Sequence, residues 1–126
     1  MKRKHYSDVP GCPVEITLDL LDGRWKGVVL FHLLDARCLR FNELHRRVNG
    51  VTQRLLTKQL RELEEAGLVI RTVYAEVPPR VEYRLSEEGE SLRPIVAMLS
   101  QWGRRRFERQ RAMQVPSDPR RASSAE

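Results

Sequence analysis

The sequence has few of the features that are typical of metalloproteins, membrane proteins or RNA-binding proteins. Its two cysteines, Cys12 and Cys38, form neither a CxxC pair nor a metal-ligand spacing. The longest apolar run, residues 28–34, includes His32 and is far too short to span a membrane. Aromatic residues make up 6% of the chain, so few rings are available to stack on single-stranded bases. These scarcities argue against a metal site, a cofactor, a membrane partner and RNA.

An export signal is also missing from the sequence. Residues 1–4 are basic, but polar residues follow them where a signal peptide needs an apolar stretch. We therefore expect a cytoplasmic protein with two free thiols. What the chain does have is charge, because 23 Lys and Arg stand against 17 Asp and Glu, a formal net charge of +6. A basic chain of 126 residues fits one small domain with a polyanionic partner.

The segment TQRLLTKQLRELEEAG is predicted to form a helix with two chemically different faces. Leu56, Leu60 and Leu63 recur at i, i+4 and i+7 and make an apolar stripe. Thr52 is suited to cap the helix start, and Gly67 is suited to end it in a left-handed conformation. The other face is cationic and hydrogen-bonding, and it carries Arg54, Thr57, Lys58 and Arg61. Such a helix suits the major groove of DNA, and a solvated charged surface is the alternative.

Periodicity and turn signals predict the other elements. Before Asn49-Gly50, helices are expected from Pro13 to the turn at Asp22-Gly23, over residues 25–34 and after Asn42 as an N-cap, with a short extended segment over residues 38–41. Beyond Gly67, strands are expected over residues 69–74 and 81–85, with a proline-rich loop over residues 75–80 between them. Ser86 is predicted to cap a long helix that Pro94 kinks.

This order of elements predicts an α+β fold, mainly α: a winged helix-turn-helix domain with a long C-terminal helix. Residues 1–11 are interpreted as an N-terminal arm and residues 12–110 as the winged-helix domain. Residues 111–126 are rich in Pro, Ser and Arg and are predicted to be a disordered tail.

Six blocks of sequence carry a family resemblance. They are CPVE at residues 12–15, LDLLDGRWK at 18–26, FNEL at 41–44, LLT at 55–57, LRELE at 60–64 and VPPRVEY at 77–83. In order and spacing, these blocks resemble the HxlR-type winged helix-turn-helix regulators, relatives of the MarR group. The resemblance covers about residues 12 to 103. It rests on the joint order of the blocks and not on any single one.

The resemblance implies that the helix of the TQRLL segment reads double-stranded DNA. Gln53 and Arg54 are then candidates to read base edges, because Gln can bond adenine and Arg can bond guanine in a bidentate way. Lys58 and Arg61 lie one and two turns further on and are expected on phosphates. Thr57 suits either role. The predicted DNA-binding set is completed by Thr52 and by Arg80 in the wing.

Two roles are open for Arg80. In the first, it lies near the minor groove of DNA, where narrow A·T-rich segments attract arginine. An ion pair with Glu76 or Glu82 on the hairpin surface is the equal alternative.

The C-terminal helix carries two features whose roles stay open. An apolar face packs either on the domain's own core or, as the resemblance implies, in a symmetric homodimer with the N-terminal segment. Such a homodimer meets two half-sites of a pseudo-palindromic operator. The apolar face consists of Leu92, Ile95, Leu99 and Trp102. A basic cluster of Arg104, Arg105, Arg106, Arg109 and Arg111 follows, and it either contacts phosphates or complements the helix dipole.

Cys12 precedes a predicted helix start, where exposed backbone N–H groups stabilise a thiolate. In some HxlR-type regulators a cysteine in this position senses oxidants or electrophiles, so the resemblance makes Cys12 a candidate redox sensor. A small buried apolar residue is the alternative. Cys38 has no matching role in the family.

The leading interpretation is a homodimeric transcriptional repressor that is switched by oxidants or electrophiles through Cys12. One alternative is a regulator gated by a small-molecule ligand at the dimer interface. Others are a winged-helix module that binds protein or RNA, and a thiol-dependent enzyme built on Cys12. An enzyme needs a nearby base or a resolving cysteine. The histidines His5, His32 and His45 have unrelated spacings and supply no evident base.

Overall fold

The structure, a computed structural model, describes residues 12–114 of the 126-residue chain. Of the described residues, 12–93 belong to one compact unit and 94–114 to a second. The described elements are α1 (Pro13–Leu20), α2 (Lys26–Ala36), β1 (Cys38–Arg40), α3 (Phe41–Arg47), α4 (Gln53–Glu65), β2 (Val69–Tyr74), β3 (Arg80–Leu85), α5 (Glu87–Glu90) and α6 (Arg93–Gln114). The predicted winged helix-turn-helix architecture is confirmed.

The three strands form one antiparallel sheet in the order β1-β3-β2. Strands β2 and β3 make a hairpin, the wing, whose register pairs Val69 with Leu85 and Tyr74 with Arg80. Because side chains alternate between the two faces of a strand, one face of the sheet is apolar and buried. That face carries Leu39, Val69, Tyr83 and Leu85, each at most 8% exposed.

The helix-turn-helix consists of α3, a turn and α4, and it is held to α2 by leucines. The side chain of His45 on α3 bonds the carbonyl of Val51 at 2.9 Å and so ties the helix to the turn that follows it. Six leucines of the three helices are at most 1% exposed and form the core between them. They are Leu30, Leu33, Leu44, Leu56, Leu60 and Leu63.

The predicted N-cap of the third helix is wrong. Arg40, not Asn42, is the N-cap, and its backbone N–H donates to Glu43 Oε1 at 2.8 Å. The reason is the sheet: β1 pairs with β3 through Arg40 and Glu82, so the chain enters the helix directly at the end of the strand. The intrinsic capping preference of Asn is too small to move that start.

The single long helix predicted after Ser86 is two helices. Ser86 caps the short α5, where its hydroxyl oxygen accepts the N–H of Gly89 at 3.0 Å. The chain then turns and α6 begins at Arg93. Pro94 has no N–H and lies in the first turn of α6, where none is needed. The predicted proline kink is therefore a break between two helices.

Helix α6 continues to Gln114. Residues 111–114, which the sequence assigns to a disordered tail, are therefore helical. The predicted N-terminal arm and the rest of the predicted tail lie outside the described residues. Within residues 12–114, no helix is both long enough and apolar enough to span a membrane.

Candidate nucleic-acid interface

Helix α4 separates an apolar side from a charged side as its sequence predicts. Leu56, Leu60 and Leu63 are at most 1% exposed, so burial of their side chains anchors the helix. The opposite side is open to solvent and carries Gln53, Arg54, Thr57, Lys58 and Arg61. This side is available to a partner without any rearrangement of the core.

Both ends of α4 form as predicted. Thr52 is the N-cap, and its Oγ1 accepts the backbone N–H of Leu55 at 3.1 Å. Gly67 has a φ of 81° and follows the C-cap residue Ala66. Because the Thr52 hydroxyl oxygen accepts this bond, its own O–H remains free to donate to an external acceptor such as a phosphate oxygen.

The exposed side of α4 forms a shallow concave surface of about 660 Å³, which we call the α4 groove. It brings together five of the seven predicted DNA-binding residues. Gln53 is exposed on the same helix but does not line the groove, and Arg80 lies in the wing. The groove is lined by Thr52, Arg54, Leu55, Thr57, Lys58 and Arg61.

Leu55 is the lining residue that sequence reasoning missed. It is half-buried and is the apolar member of an otherwise polar or charged lining. The signal was present in the spacing, because Leu55 falls outside the i, i+4, i+7 stripe of the core leucines. An apolar side chain at such a surface can contact the methyl group of thymine.

The hydroxyl of Thr57 has a defined hydrogen-bonding state. It donates to the carbonyl of Gln53 at 2.9 Å, one turn earlier in α4. Its oxygen is thereby left as an acceptor, and its methyl group as an apolar contact. Towards bases, Thr57 therefore suits the amino groups of adenine and cytosine or the methyl group of thymine.

The cations of the α4 groove are largely unneutralised. Within residues 12–114, neither Arg54 nor Arg61 forms an ion pair. Lys58 Nζ lies 4.0 Å from Glu62 Oε2, at the limit of an ion pair, and its side chain is 67% exposed. The groove thus presents three positive charges to a polyanion.

In the wing, Arg80 forms the ion pairs that were one of its two predicted roles. It is the first residue of β3 and not part of the loop. Its guanidinium donates to Glu82 Oε2 at 2.6 Å and to Glu76 Oε2 at 2.8 Å. The same group lies 3.9 Å from the ring centroid of Tyr74. Hydrogen bonding to Glu76 is the largest of the effects that raise the pKa of Arg80.

Cys38 is connected to this wing cluster. Its thiol donates to Glu82 Oε1 at 3.3 Å. Burial, followed by this hydrogen bond and the charge of Glu82, raises the pKa of the Cys38 thiol. The reciprocal effect of the bond lowers the pKa of Glu82, and Arg80 adds to it. Cys38 is therefore held as a neutral thiol, which is a poor nucleophile.

Cys12 is the N-cap of α1, the first helix of the chain that the structure describes. Its backbone N–H donates to Glu15 Oε1 at 3.2 Å, and its thiol is free and exposed. The alternative of a small buried residue is therefore wrong for the single chain. An exposed thiol at a helix start is accessible to oxidants and electrophiles.

Helix α6 exposes an apolar stripe. Ile95, Leu99 and Trp102 are 41%, 54% and 56% exposed, and Met98 extends the same stripe at i+3 from Ile95. The prediction that Leu92 belongs to this apolar face is wrong, because Leu92 precedes α6 and is only 7% exposed. It is therefore not available to a partner.

The described part of the chain contains no group of three or more His, Cys, Asp or Glu side chains arranged to hold a metal ion. His32 is half-buried on α2, and burial lowers the pKa of its ring. It is accordingly a neutral histidine of the helix-turn-helix unit.

Comparisons with known proteins agree with this geometry. Residues 20–111 match the family model described as HxlR-like helix-turn-helix. A relative from Bacillus subtilis strain 168, an uncharacterised HTH-type transcriptional regulator named YybR, is 51% identical over 102 residues, which are 81% of each chain.

Two solved structures of one regulator are also similar. The redox regulator HypR in its oxidised form is 53% identical with a TM-score of 0.70, covering 74% of this chain and 95% of HypR. Its reduced form is 48% identical with a TM-score of 0.74, covering 80% of this chain and 99% of that one. The family and these relatives are transcriptional regulators, not enzymes. The chain belongs to the HxlR-like helix-turn-helix family of DNA-binding transcriptional regulators.

Proposed function

We propose that the protein is a homodimeric repressor that binds a pseudo-palindromic operator with the N-terminal turns of α4 in the major groove. The observation that carries this proposal is the α4 groove, a solvent-exposed surface with three exposed cations on a helix anchored by buried leucines. Two such helices related by a two-fold axis match half-sites about one helical turn of DNA apart.

At each half-site, some residues of α4 contact base edges and others contact phosphates. Gln53 and Arg54, in the first turn of α4, read base edges. Leu55 and Thr57 contact thymine methyl or base amino groups beside them. Thr52, Lys58 and Arg61 bind phosphates and set the depth of the helix in the groove.

The wing contributes an arginine whose side chain is already ordered by its neighbours. A guanidinium has five N–H donors, and Arg80 uses two of them on Glu76 and Glu82. The remaining donors are held in place by these ion pairs and by the ring of Tyr74, so little side-chain entropy is lost when they meet DNA. We therefore assign Arg80 to the DNA beside the major-groove site.

The apolar stripe of α6 supports the homodimer. Ile95, Met98, Leu99 and Trp102 are spaced i, i+3, i+4 and i+7 and are between 41% and 57% exposed. Exposed apolar stripes of this kind mark interfaces between proteins. We propose repression because a dimer bound to two half-sites within a promoter would compete sterically with polymerase.

A Leu99→Glu variant is expected to be monomeric where the wild type is a dimer, because it places a charge in the apolar stripe. Sedimentation equilibrium at micromolar concentration measures the difference. Gln101→Glu adds the same charge to an exposed residue outside the stripe and should remain dimeric. A wild-type protein that sediments as a monomer at this concentration contradicts the homodimer.

We also propose that Cys12 is the switch. Its thiol is free and exposed at the start of α1, and HypR, the redox regulator that this chain resembles, exists in oxidised and reduced forms. Diamide joins the Cys12 thiol to a second thiol as a disulfide and is itself reduced to the hydrazine, whereas a quinone forms a thioether with it; either product adds bulk next to the cap of α1. Such a change shifts the spacing of the two reading helices if α1 contributes to the dimer.

Treatment with diamide or a quinone is expected to change the affinity for operator DNA by about fivefold or more. Cys12→Ser should abolish this response, whereas Cys38→Ser should keep it, because the pKa of Cys38 is raised by burial and Glu82. Genomic footprinting with and without oxidant supplies the operator for the assay. A Cys12→Ser protein that still responds to both reagents would exclude Cys12 as the sensor.

A further inference from the structure

We infer that Lys26 is a positioning residue for DNA binding, because it neutralises the carboxylate of Glu62, which otherwise pairs with Lys58 of the α4 groove. Lys26 is the first residue of α2, and Glu62 lies in the second half of α4. The inference rests on the proposed role of α4 as the reading helix. It assigns a DNA-binding effect to a residue that does not itself line the groove.

Glu62 has two cationic neighbours, and only one of them holds it closely. Lys26 Nζ lies 2.7 Å from Glu62 Oε1, whereas Lys58 Nζ lies 4.0 Å from Glu62 Oε2. The side chain of Lys26 is 14% exposed, and that of Lys58 is 67% exposed. Solvent therefore screens the short pair less than the long one, and the charge of Glu62 is compensated mainly by Lys26.

The consequence concerns the net charge that α4 offers to phosphates. With Lys26 in place, the Glu62 carboxylate is neutralised from the α2 side, and Lys58 keeps an exposed cation. Without Lys26, the nearest cation is Lys58, four residues earlier on the same helix, where Lys and Glu can pair directly. The carboxylate then competes with phosphate for Lys58 and also repels the DNA backbone.

A purely mechanical role is the competing explanation, because the same short ion pair joins α2 to α4. The two explanations differ in what happens when Glu62 is neutralised. If Lys26 acts by charge, removal of the carboxylate makes Lys26 dispensable for DNA binding. If Lys26 acts as a tether, removal of either partner weakens binding equally.

The test uses the full-length protein, a fluorescent duplex of mixed sequence, and anisotropy titrations from about 50 to 200 mM salt. Lys26→Met keeps the length of the half-buried stem without the charge. Glu62→Gln removes the carboxylate, and the double variant removes both. Arg93→Met is the matched control, since it removes a cation paired at 2.8 Å with Glu90, outside α4. Circular dichroism melts confirm that each variant is folded at the assay temperature.

Lys26→Met is expected to bind about three- to eightfold more weakly at about 0.1 M salt, with a salt slope smaller by about 0.9. Glu62→Gln should bind at least as tightly as the wild type. The double variant should agree with Glu62→Gln within about twofold. Arg93→Met should keep the wild-type salt slope.

Two results would overturn the inference while leaving the reading helix intact. One is that Lys26→Met binds the duplex with wild-type affinity while Lys58→Ala binds the same duplex more weakly. The other is equal weakening by Lys26→Met, Glu62→Gln and the double variant, which indicates a tether. If Lys58→Ala and Arg54→Ala both leave the affinity unchanged, the reading-helix proposal fails and this inference fails with it.

Discussion

A Gly89→Ala variant is expected to lose about 3 kcal/mol of unfolding free energy. A Cβ at Gly89 would clash with the carbonyl oxygen of Leu68 and would lie 3.2 Å from the Cβ of Leu85. The carbonyl cannot move freely, because it accepts the backbone N–H of Ser86 at 3.0 Å. The cost is therefore steric, and it falls on the junction between α4, the wing and α5.

Urea and thermal denaturation measure this loss, and a fall in Tm of about 10–20 °C is expected for a domain of this size. Gly27→Ala is the matched control. Gly27 is in α2, and an added Cβ meets nothing within 4 Å. It should leave the stability unchanged or raise it by up to about 1 kcal/mol, because alanine is the better helix former. A Gly89→Ala protein that melts with the wild type would show that the backbone at Leu68 yields without cost.

The reading helix could be predicted almost completely from the sequence, because its determinants are local. The leucine period, the hydroxyl of Thr52 and the glycine at position 67 all lie inside one short segment. The prediction placed the helix at residues 52–66, and the structure has Gln53–Glu65 with Thr52 and Ala66 as its caps. Each of these signals acts over no more than one or two helical turns.

The sequence was less informative where an element's limits depend on its neighbours in space. The start of α3 is set by the pairing of β1 with β3, which overrides the preference of Asn42 for an N-cap. The helix that begins after Ser86 breaks before Pro94, which lies in the first turn of α6, so a break takes the place of the predicted kink. In both cases the residue types were recognised and their geometric consequence was not.

The charge network of the site was the least predictable part. Arg80 and Glu82 are two residues apart on one strand, so their ion pair could be considered from sequence alternation. The pair of Lys26 and Glu62 joins residues on different helices, and no local spacing indicates it. Yet this second pair determines how much positive charge α4 presents. Electrostatics at an interface depends on tertiary neighbours even where the residues that line it are evident.

Replacing Arg54 by alanine is expected to cost about 1–3 kcal/mol of binding free energy on operator DNA. Arg54 lies in the first turn of α4, lines the α4 groove and forms no ion pair within residues 12–114. Its guanidinium is therefore free to form two parallel hydrogen bonds with the O6 and N7 atoms of guanine. The loss should be concentrated at one base pair, so the preference for that base should relax.

Arg54→Lys separates charge from geometry. A lysine keeps the positive charge but lacks the planar fork, so it should retain most of the affinity for mixed-sequence DNA and lose discrimination at the same base pair. Lys58→Ala is the complementary variant, expected to weaken binding to all sequences and to reduce the salt slope by about 1. Anisotropy titrations on the operator, on single-base variants of it and on mixed-sequence DNA measure all three proteins. If Arg54→Ala weakens binding to operator and mixed-sequence DNA by the same factor, Arg54 binds phosphate, and base reading falls to Gln53, Leu55 and Thr57.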